Sequence, residues 1–298
     1  MGSNGTPGSG ALRVVGTPRA KVDAVAKVTG ATRFADDLAL PQMLHAKLLR
    51  SHLPHARIVS IDTARARALP GVHAVLVGAD LPTPYGILPV SQDEHALCLD
   101  RVRFIGDPVA AVAAVDEETA LAACELIAVV YQPLEPVSSL TDALRGTQPQ
   151  IHLYGDGHNI HKVVALEFGD VDAALGAADW VQEDVFFYEG NTHLPMEQHA
   201  ALAQATADGR LTLWTSSQTP HYVHRALATV LGLRASRIRV IATPNGGGFG
   251  GKSDPFGHEI VVAELSRRTA RPVKICLTRE EVFYCHRGRH PVLMELRT

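Results

Sequence analysis

Cysteine is scarce in this chain of 298 residues: there are four, and no two of them form a CxxC pair. Clustered cysteines are what a disulfide framework, a cysteine zinc site or an iron–sulfur cluster requires. The sequence therefore argues against all three within this chain. Scattered cysteines also suit a reducing cytoplasm, which is the expected location. The four are Cys98, Cys124, Cys276 and Cys285.

The chain also lacks a strong charge of either sign and a long apolar run. Its formal net charge at pH 7 is −3, so no basic field would attract nucleic acid or an anionic membrane. No apolar run reaches membrane-spanning length. The amino terminus, MGSNGTPGSG, has neither the charged nor the apolar region of a signal peptide. We predict instead that residues 1–20 are a disordered tail of small and polar residues.

What the sequence does have is 46% hydrophobic residues, enough for sizeable cores, and a length that suggests two domains. Residues 21–140 alternate strands and helices, including a helix that begins near Asp116, and predict an α+β domain. Residues 141–162 are rich in turn residues and are predicted to be a linker. Residues 163–298 form the second domain, also α+β. Because the chain stops on a predicted strand, we expect it to be part of a longer protein.

Local signals define the elements of the second domain. Asp208-Gly209 indicates a hairpin turn between two strands. Thr219 and Pro220 follow as N-cap and first residue of a helix. A strand over 237–243 then leads directly into a run of glycines. The predicted apolar face of the helix comprises Tyr222, Ala226, Leu227, Val230 and Leu231.

The glycine run GGGFGGKS, residues 246–253, fits two phosphate-binding patterns, the P-loop and the dinucleotide fingerprint. A P-loop enzyme also needs an aspartate at the end of an apolar strand, and a dinucleotide fold needs an acidic residue at a later strand end. Neither stands where it is required. A simple bend in a strand is a third interpretation, but five glycines in six positions cost conformational entropy. The run favours backbone close to a bound group, with Phe249 packed on a ligand or sealing a pocket.

The loop sequence GGGFGGK resembles the loop that cradles molybdopterin in the molybdenum-binding large subunit of the xanthine oxidase family. Residues 216–252 follow the family's pattern in order and spacing, and residues 26–62 resemble its N-terminal hammerhead domain. MEQHAALA at 196–203 and RPVKICLTREE at 271–281 also fit. The resemblance spans about residues 12–298, which is nearly the whole chain.

The resemblance implies a hammerhead domain over 21–140 and the first, truncated part of a molybdopterin-binding domain over 163–298. Gln218 matches the family's glutamine that hydrogen-bonds an oxo ligand on molybdenum, and Phe249 belongs to the same molybdenum environment. The family's catalytic glutamate would lie beyond Thr298. The loop residues expected to bind the molybdopterin, as its cytosine dinucleotide, are Gly247, Gly248, Phe249, Gly250 and Gly251.

The resemblance also bears on substrate and partners. Ser253 stands where the family's purine hydroxylases have a glutamate, so a purine is not expected, and Ser253 is a candidate for the substrate pocket. The segments 253–260 and 279–292 look most like 4-hydroxybenzoyl-CoA reductase, which implies reductive dehydroxylation of 4-hydroxybenzoyl-CoA to benzoyl-CoA. The alternative is hydroxylation of an aromatic heterocycle or an aldehyde, as in xanthine dehydrogenase. Less favoured are a P-loop NTPase and a non-catalytic scaffold. Iron–sulfur clusters and FAD are expected on partner subunits of a hetero-oligomer.

Histidines and arginines offer further candidates. His193 and His199 flank Glu197, and His221 and His224 share a helix face, so a metal site of two histidines and a carboxylate is conceivable. Capping, packing or pocket lining is the alternative. A basic cluster that could meet an acidic cofactor phosphate, or be a solvated turn, comprises His286, Arg287, Arg289 and His290. The two tryptophans are assigned to the core: Trp180 and Trp214.

Overall fold

The chain divides after Arg33 into two compact units. The first contains one short helix, α1 (Ala24–Val28), none of whose residues is buried. The predicted tail, residues 1–20, lies for its first thirteen residues outside the described part of the chain. No helix within that part is both long and apolar enough to cross a membrane. The computed structural model describes residues 14–89, 91–146, 149–153, 158–285 and 287–298.

The second unit, Phe34–Thr298, mixes strands and helices as the sequence predicted. Its strands are β1 (Leu44–Arg50), β2 (Ala56–Asp62), β3 (Val72–Val77), β4 (Arg101–Val102), β5 (Pro108–Ala114), β6 (Ala128–Pro133), β7 (Glu183–Tyr188), β8 (Ala200–Ala205), β9 (Leu211–Thr215), β10 (Ile238–Ala242), β11 (Val273–Cys276) and β12 (Val292–Arg297). Its helices are α2 (Ala64–Ala68), α3 (Glu117–Glu125), α4 (Leu140–Arg145), α5 (Val171–Gly176), α6 (Pro220–Leu231), α7 (Gly257–Thr269) and α8 (Arg279–Cys285).

A seven-stranded sheet in the order β10-β9-β8-β11-β1-β5-β3 forms the centre of this unit. Strand β1 pairs in parallel with β11, with Leu44 opposite Val273, and antiparallel with β5. Strands from both predicted domains therefore lie in one continuous sheet. The division at 141–162 stays a prediction, and helix α4 lies partly within it.

The main core lies between this sheet and helices α6 and α7. Ile260, Val261 and Leu265 of α7 and Leu227 of α6 are fully buried. The prediction for α6 was wrong at Tyr222, which is 38% exposed. Its ring lies under the guanidinium of Arg225, 4.8 Å away, and Val223 takes its place on the buried face.

The predicted helix start near Asp116 and the predicted hairpin turn at Gly209 are both present. The Asp116 carboxylate accepts the Thr119 N–H at 2.7 Å and caps α3. Gly209 adopts a φ of 80° between β8 and β9, as the hairpin requires. The assignment of Trp180 to the core was wrong, because its side chain is 78% exposed. It lies just before β7, which belongs to a part of the molecule with little covering structure.

That part is an antiparallel ribbon of two strands, β7 and β12, separate from the main sheet. Six residue pairs join its strands, from Glu183 opposite Arg297 to Tyr188 opposite Val292. Large apolar side chains are exposed on both strands of the ribbon, namely Val185, Phe186, Phe187, Tyr188, Val292, Leu293, Met294 and Leu296.

Candidate functional site

The glycine loop, residues 246–252, lies at one edge of the main sheet because of how β9 and β10 pair. These strands are parallel neighbours, from Leu211 opposite Ile238 to Thr215 opposite Ala242. The segments that follow them therefore leave the sheet at the same edge. The residues after β9 include Gln218, and those after β10 include the loop.

Three hydrogen bonds join Gln218 to the loop. Its side-chain oxygen accepts the N–H of Gly250 at 3.0 Å and that of Lys252 at 3.2 Å. Its own backbone N–H donates to the Lys252 carbonyl at 2.8 Å. Because both groups facing the side-chain amide are N–H donors, the atom they meet must be oxygen. The amide NH₂ takes part in neither of these two bonds. Because Gln218 is exposed, this NH₂ can donate to a bound group.

Glycine is required in the loop by close approach and by backbone conformation. A Cβ on Gly248 would lie 2.5 Å from Cδ and Oε1 of Gln218, inside any possible contact distance. Gly247 and Gly250 have φ values of 110° and 93°, which side chains other than hydrogen disfavour. The loop thus brings together all of the residues predicted to bind the cofactor: Gln218, Gly247, Gly248, Phe249, Gly250 and Gly251.

Phe249 stands out within this loop. Its φ is 54°, an uncommon value for a bulky residue, and its side chain is 72% exposed. The expectation that its ring packs on a ligand or seals a pocket stays a prediction. The N–H groups of Gly248 and Phe249 make no hydrogen bond within the described residues, whereas that of Gly250 already donates to Gln218. The predicted cofactor-binding role of Gly250 stays a prediction, although its N–H already donates to Gln218.

Lys252 turns inward, away from the loop surface. Its side chain is 1% exposed, and Nζ donates to Oε2 of Glu197 at 2.7 Å and to the Gln198 carbonyl at 3.3 Å. Burial lowers the pKa of the lysine, and the Glu197 carboxylate opposes that change. Oε2 of Glu197 also accepts the N–H of Gly246 at 2.9 Å. One carboxylate oxygen therefore contacts both ends of the loop.

These contacts contradict the two phosphate-binding interpretations. A P-loop lysine reaches toward phosphates, whereas the Lys252 ammonium is held by Glu197 inside the protein. The N–H groups of Gly250 and Lys252, which a P-loop would direct at phosphates, are bonded to Gln218 instead. Helix α7 begins only at Gly257, so the loop does not lead directly into the N-terminus of the helix that follows it.

The segment after the loop, which begins at Ser253, is held by hydrogen bonds from threonines that follow or end β9. The Thr219 hydroxyl donates to the Ser253 carbonyl at 2.6 Å, so it does not cap α6, although Thr219 occupies the N-cap position. Ser253 is half-buried at the end of the loop, and its role in a substrate pocket stays a prediction. The Thr215 hydroxyl donates to Glu259 at 2.6 Å, and burial raises the pKa of Glu259 to about 7.

The histidine candidates are dispersed. His199 packs edge-on against Phe256, with ring centroids 4.8 Å apart, and the His224 ring contacts the Ala235 carbonyl. Glu197, proposed as their carboxylate partner, is bonded to Lys252 instead. Within the described residues no cluster of three or more histidine, cysteine, aspartate or glutamate side chains is arranged to hold a metal ion.

The predicted basic cluster is divided. Arg287 is half-buried and forms ion pairs with Glu94 and, at 2.8 Å, with Asp254. Its guanidinium also lies over the Phe256 ring. Arg287 is therefore neither part of a solvated turn nor free to bind an anion. Arg289 and His290 are exposed, and His286 lies outside the described residues.

A cavity of about 700 Å³ lies beside this ion-pair network and was not anticipated from the sequence. Its lining includes Tyr85, Glu94, Cys98 and Phe256. Burial raises the pKa of Glu94, and Arg287 opposes that change. The residues that form its wall lie as far apart in the sequence as Leu48 and His290, so no local pattern could have revealed it.

Two domain families match the chain. The model for the molybdopterin cofactor-binding domain matches residues 153–298, and that for the aldehyde oxidase and xanthine dehydrogenase a/b hammerhead domain matches residues 29–135. The chain belongs to the xanthine oxidase family. Its hammerhead domain and the start of its molybdopterin-binding domain follow in the order the sequence predicted.

Relatives in this family cover nearly the whole chain. The nicotinate dehydrogenase large molybdopterin subunit of Eubacterium barkeri is 40% identical over 286 residues, which cover 96% of this chain and 66% of the relative. The xanthine dehydrogenase molybdenum-binding subunit of Escherichia coli O157:H7 is 35% identical, with 91% and 37% covered. Quinoline 2-oxidoreductase from Pseudomonas putida 86 has a TM-score of 0.85 at 32% identity, with 95% and 37% covered. This family member spans two thirds or less of each of these relatives.

The geometry of the loop fits a molybdopterin. A flat, polar group needs backbone free of side chains at the point of approach and donors for its heteroatoms. The loop has glycine on both sides of Phe249, and the Gln218 amide NH₂ and the N–H groups of Gly248 and Phe249 are available donors. Sequence reasoning missed Glu197 as a site residue, since it assigned Glu197 only to a possible metal site.

Proposed function

We propose that this chain is the cofactor-binding part of a molybdenum-containing oxidoreductase that hydroxylates an aromatic heterocycle. The observation that carries the proposal is the Gln218 amide, whose oxygen is occupied by two loop N–H groups and whose NH₂ is therefore a fixed donor. A donor that is already oriented needs no reorganisation when a partner binds. Nicotinate dehydrogenase and quinoline 2-oxidoreductase are relatives whose names point to heterocyclic substrates.

The molybdenum group, when bound, would supply the redox chemistry. Gln218 would donate a hydrogen bond to it from the amide NH₂, and Gly247, Gly248 and Gly251 would let it approach the backbone. Phe249 would cover one side of it and exclude water. The cytosine dinucleotide form of the pterin remains the expected one.

Reductive dehydroxylation of 4-hydroxybenzoyl-CoA is the second candidate, and it rests on the resemblance of segments 253–260 and 279–292. Several residues of these segments have structural contacts inside the protein. Asp254 pairs with Arg287, and Glu259 accepts hydrogen bonds from Thr215 and the Phe256 backbone. Such residues can be alike between two proteins because they pack alike. For the choice of substrate, the resemblance of these two segments therefore carries less weight than the names of the relatives.

Electron transfer would need partners. Cys98 and Cys124 are buried, and Cys276 is half-buried on β11. These three are the cysteine side chains that the structure describes, and three thiols are fewer than the four ligands that an iron–sulfur cluster requires. We therefore propose iron–sulfur and FAD partners in a hetero-oligomer, together with the further large-subunit sequence that the relatives contain.

The test is molybdenum content, measured by elemental mass spectrometry on the native complex that contains this chain. We expect about one molybdenum per chain, and a marked loss in Gln218→Ala but not in Gln182→Ala, an exposed glutamine outside the site. Turnover of nicotinate or quinoline would support heterocycle hydroxylation, and turnover of 4-hydroxybenzoyl-CoA alone would favour the second candidate. A folded native complex without molybdenum would overturn the cofactor role.

A further inference from the structure

The buried pair of Glu197 and Lys252 joins parts of the chain that are 55 positions apart. Glu197 precedes β8, and Lys252 is the last residue of the glycine loop. The nitrogen of Lys252 and the N–H of Gly246 both donate to Oε2 of Glu197, at 2.7 and 2.9 Å. The backbone N–H of Glu197 donates to the Gly246 carbonyl at 3.3 Å. The first and last residues of the loop are thus held at one point.

Lys252 also connects this point to Gln218. While its side chain contacts Glu197, its backbone N–H donates to the side-chain oxygen of Gln218, and its carbonyl accepts the Gln218 N–H. A shift of the Lys252 backbone would break both bonds. The orientation of the Gln218 amide therefore depends on where the Lys252 side chain is anchored.

We propose that Glu197 and Lys252 are positioning residues that close the glycine loop and so orient the Gln218 amide toward the cofactor. This inference rests on the proposed function. Neither residue would touch the cofactor: the Lys252 side chain is buried, and the Glu197 side chain is 11% exposed. They act through the loop backbone and through Gln218.

The form of the pair suits positioning better than a contribution to stability alone. Burying two charges costs free energy that the ion pair does not always repay. Oε1 of Glu197 is buried and has no hydrogen-bond partner within the described residues. The three bonds that do form involve Oε2 or the backbone, and they fix the loop ends. The fit is also close, since a Cβ on Gly246 would lie 2.7 Å from Cβ of Glu197.

The test compares Lys252→Met, Lys252→Arg and the milder, isosteric Glu197→Gln in the native complex. Lys47→Met is the matched control, because Lys47 is a buried lysine paired with Glu117 at 2.8 Å and is absent from the loop contacts. The first readout is hydrogen exchange of the peptide covering residues 243–256, with protein made in the presence and in the absence of molybdate. The second is molybdenum per chain.

We expect faster exchange in the loop for Lys252→Met and Glu197→Gln, partial recovery in Lys252→Arg, and no change for Lys47→Met. Substitution of an outer-shell partner of a metal site typically weakens metal affinity about 10- to 100-fold. We therefore expect at least about tenfold weaker retention of molybdenum in Lys252→Met and Glu197→Gln. Loop exchange equal to that of wild type would overturn the positioning role. Faster exchange with unchanged molybdenum would overturn its connection to the cofactor. If wild type itself holds no molybdenum, the proposed function fails. Hydrogen exchange in the loop would then still decide whether Glu197 and Lys252 close the loop.

Discussion

The glycine loop and the ribbon of β7 and β12 are opposites in how they are held. The loop has irregular backbone, with positive φ at Gly247, Phe249 and Gly250, yet side chains from distant segments bind it at several points. The ribbon has regular antiparallel pairing along six residue pairs, yet its apolar side chains are exposed on both strands.

The difference shows that regular hydrogen bonding and structural support are separate properties. A two-stranded ribbon satisfies part of its backbone but buries little apolar surface, so it is at best marginally stable alone. An irregular loop can be well determined when buried side chains fix its ends. For this protein we expect the loop to be sensitive to substitution and the ribbon to be tolerant.

The largest expected contrast is between two ion pairs of the same chemistry. Lys252→Met leaves the buried Glu197 carboxylate unpaired, which should cost about 3–5 kcal/mol of unfolding free energy. Arg297→Met removes the exposed pair with Glu183 in the ribbon, 3.0 Å apart, and should cost no more than about 1 kcal/mol. Denaturant unfolding of both variants measures the contrast. Equal losses of unfolding free energy in the two variants would contradict the expectation that the loop is more sensitive to substitution than the ribbon.

The second contrast concerns pH. Burial raises the pKa of Glu259, next to the strand end that leads to Gln218, to about 7, against an ordinary value of 4.5. Between these pH values the folded state binds the additional proton, so the stability that Glu259 contributes falls as pH rises from about 4.5 to 7. We expect Glu259→Gln to gain stability relative to wild type over this range, by up to about 3 kcal/mol.

The measurement for Glu259 is unfolding free energy at a series of pH values for wild type and variant. Burial also lowers the pKa of His258, to about 3, which makes stability rise with pH below 6.5. The difference between wild type and Glu259→Gln at each pH cancels much of that contribution. Glu183→Gln in the ribbon, where the carboxylate is exposed, is the control and should follow wild type. A pH-independent difference for Glu259→Gln would contradict the prediction.

The third contrast uses glycine. Gly248→Ala would force a Cβ to within 2.5 Å of Gln218, and such overpacking typically costs about 1–3 kcal/mol. Gly176→Ala, at the end of α5, would meet nothing within 4 Å and should be neutral or slightly stabilising. Thermal unfolding and molybdenum content check both variants. Wild-type molybdenum content in Gly248→Ala would show that the Gln218 orientation is not needed.

The smallest effect is expected within the ribbon. Phe187 is 58% exposed and lies opposite Leu293, so Phe187→Ala should lose only a cross-strand pair, less than about 1 kcal/mol. Denaturant unfolding measures it. A loss of about 3 kcal/mol or more, as for a buried phenylalanine, would mean that the ribbon is covered in solution.

Sequence reasoning succeeded where the signal and its partner are close along the chain. The helix start at Asp116, the hairpin turn at Gly209 and most of the apolar face of α6 depend on neighbours within a few positions. The approach of Gln218 to the loop came from the family resemblance, and its bonds are consistent with that placement.

Two of the failures involve distant partners. Thr219 has the side chain of an N-cap, but the Ser253 carbonyl, 34 positions on, takes its hydroxyl. The pairing of Lys252 with Glu197 cannot be read from either local pattern, because a lysine after glycines is also the P-loop signal. Trp180 would be core in most settings, and only the lack of covering structure around it leaves it exposed.

The parallel pairing of β1 with β11 has a consequence for how the chain comes together. Leu44 meets Val273 across more than two hundred residues, so the first strand of the hammerhead segment cannot complete its sheet until the last third of the chain has been made. During synthesis the edge of β1 that pairs with β11 stays unpaired and exposed to other chains until β11 has been made. Once formed, the same pairing would keep the two halves associated even after a protease had cut the segment between them.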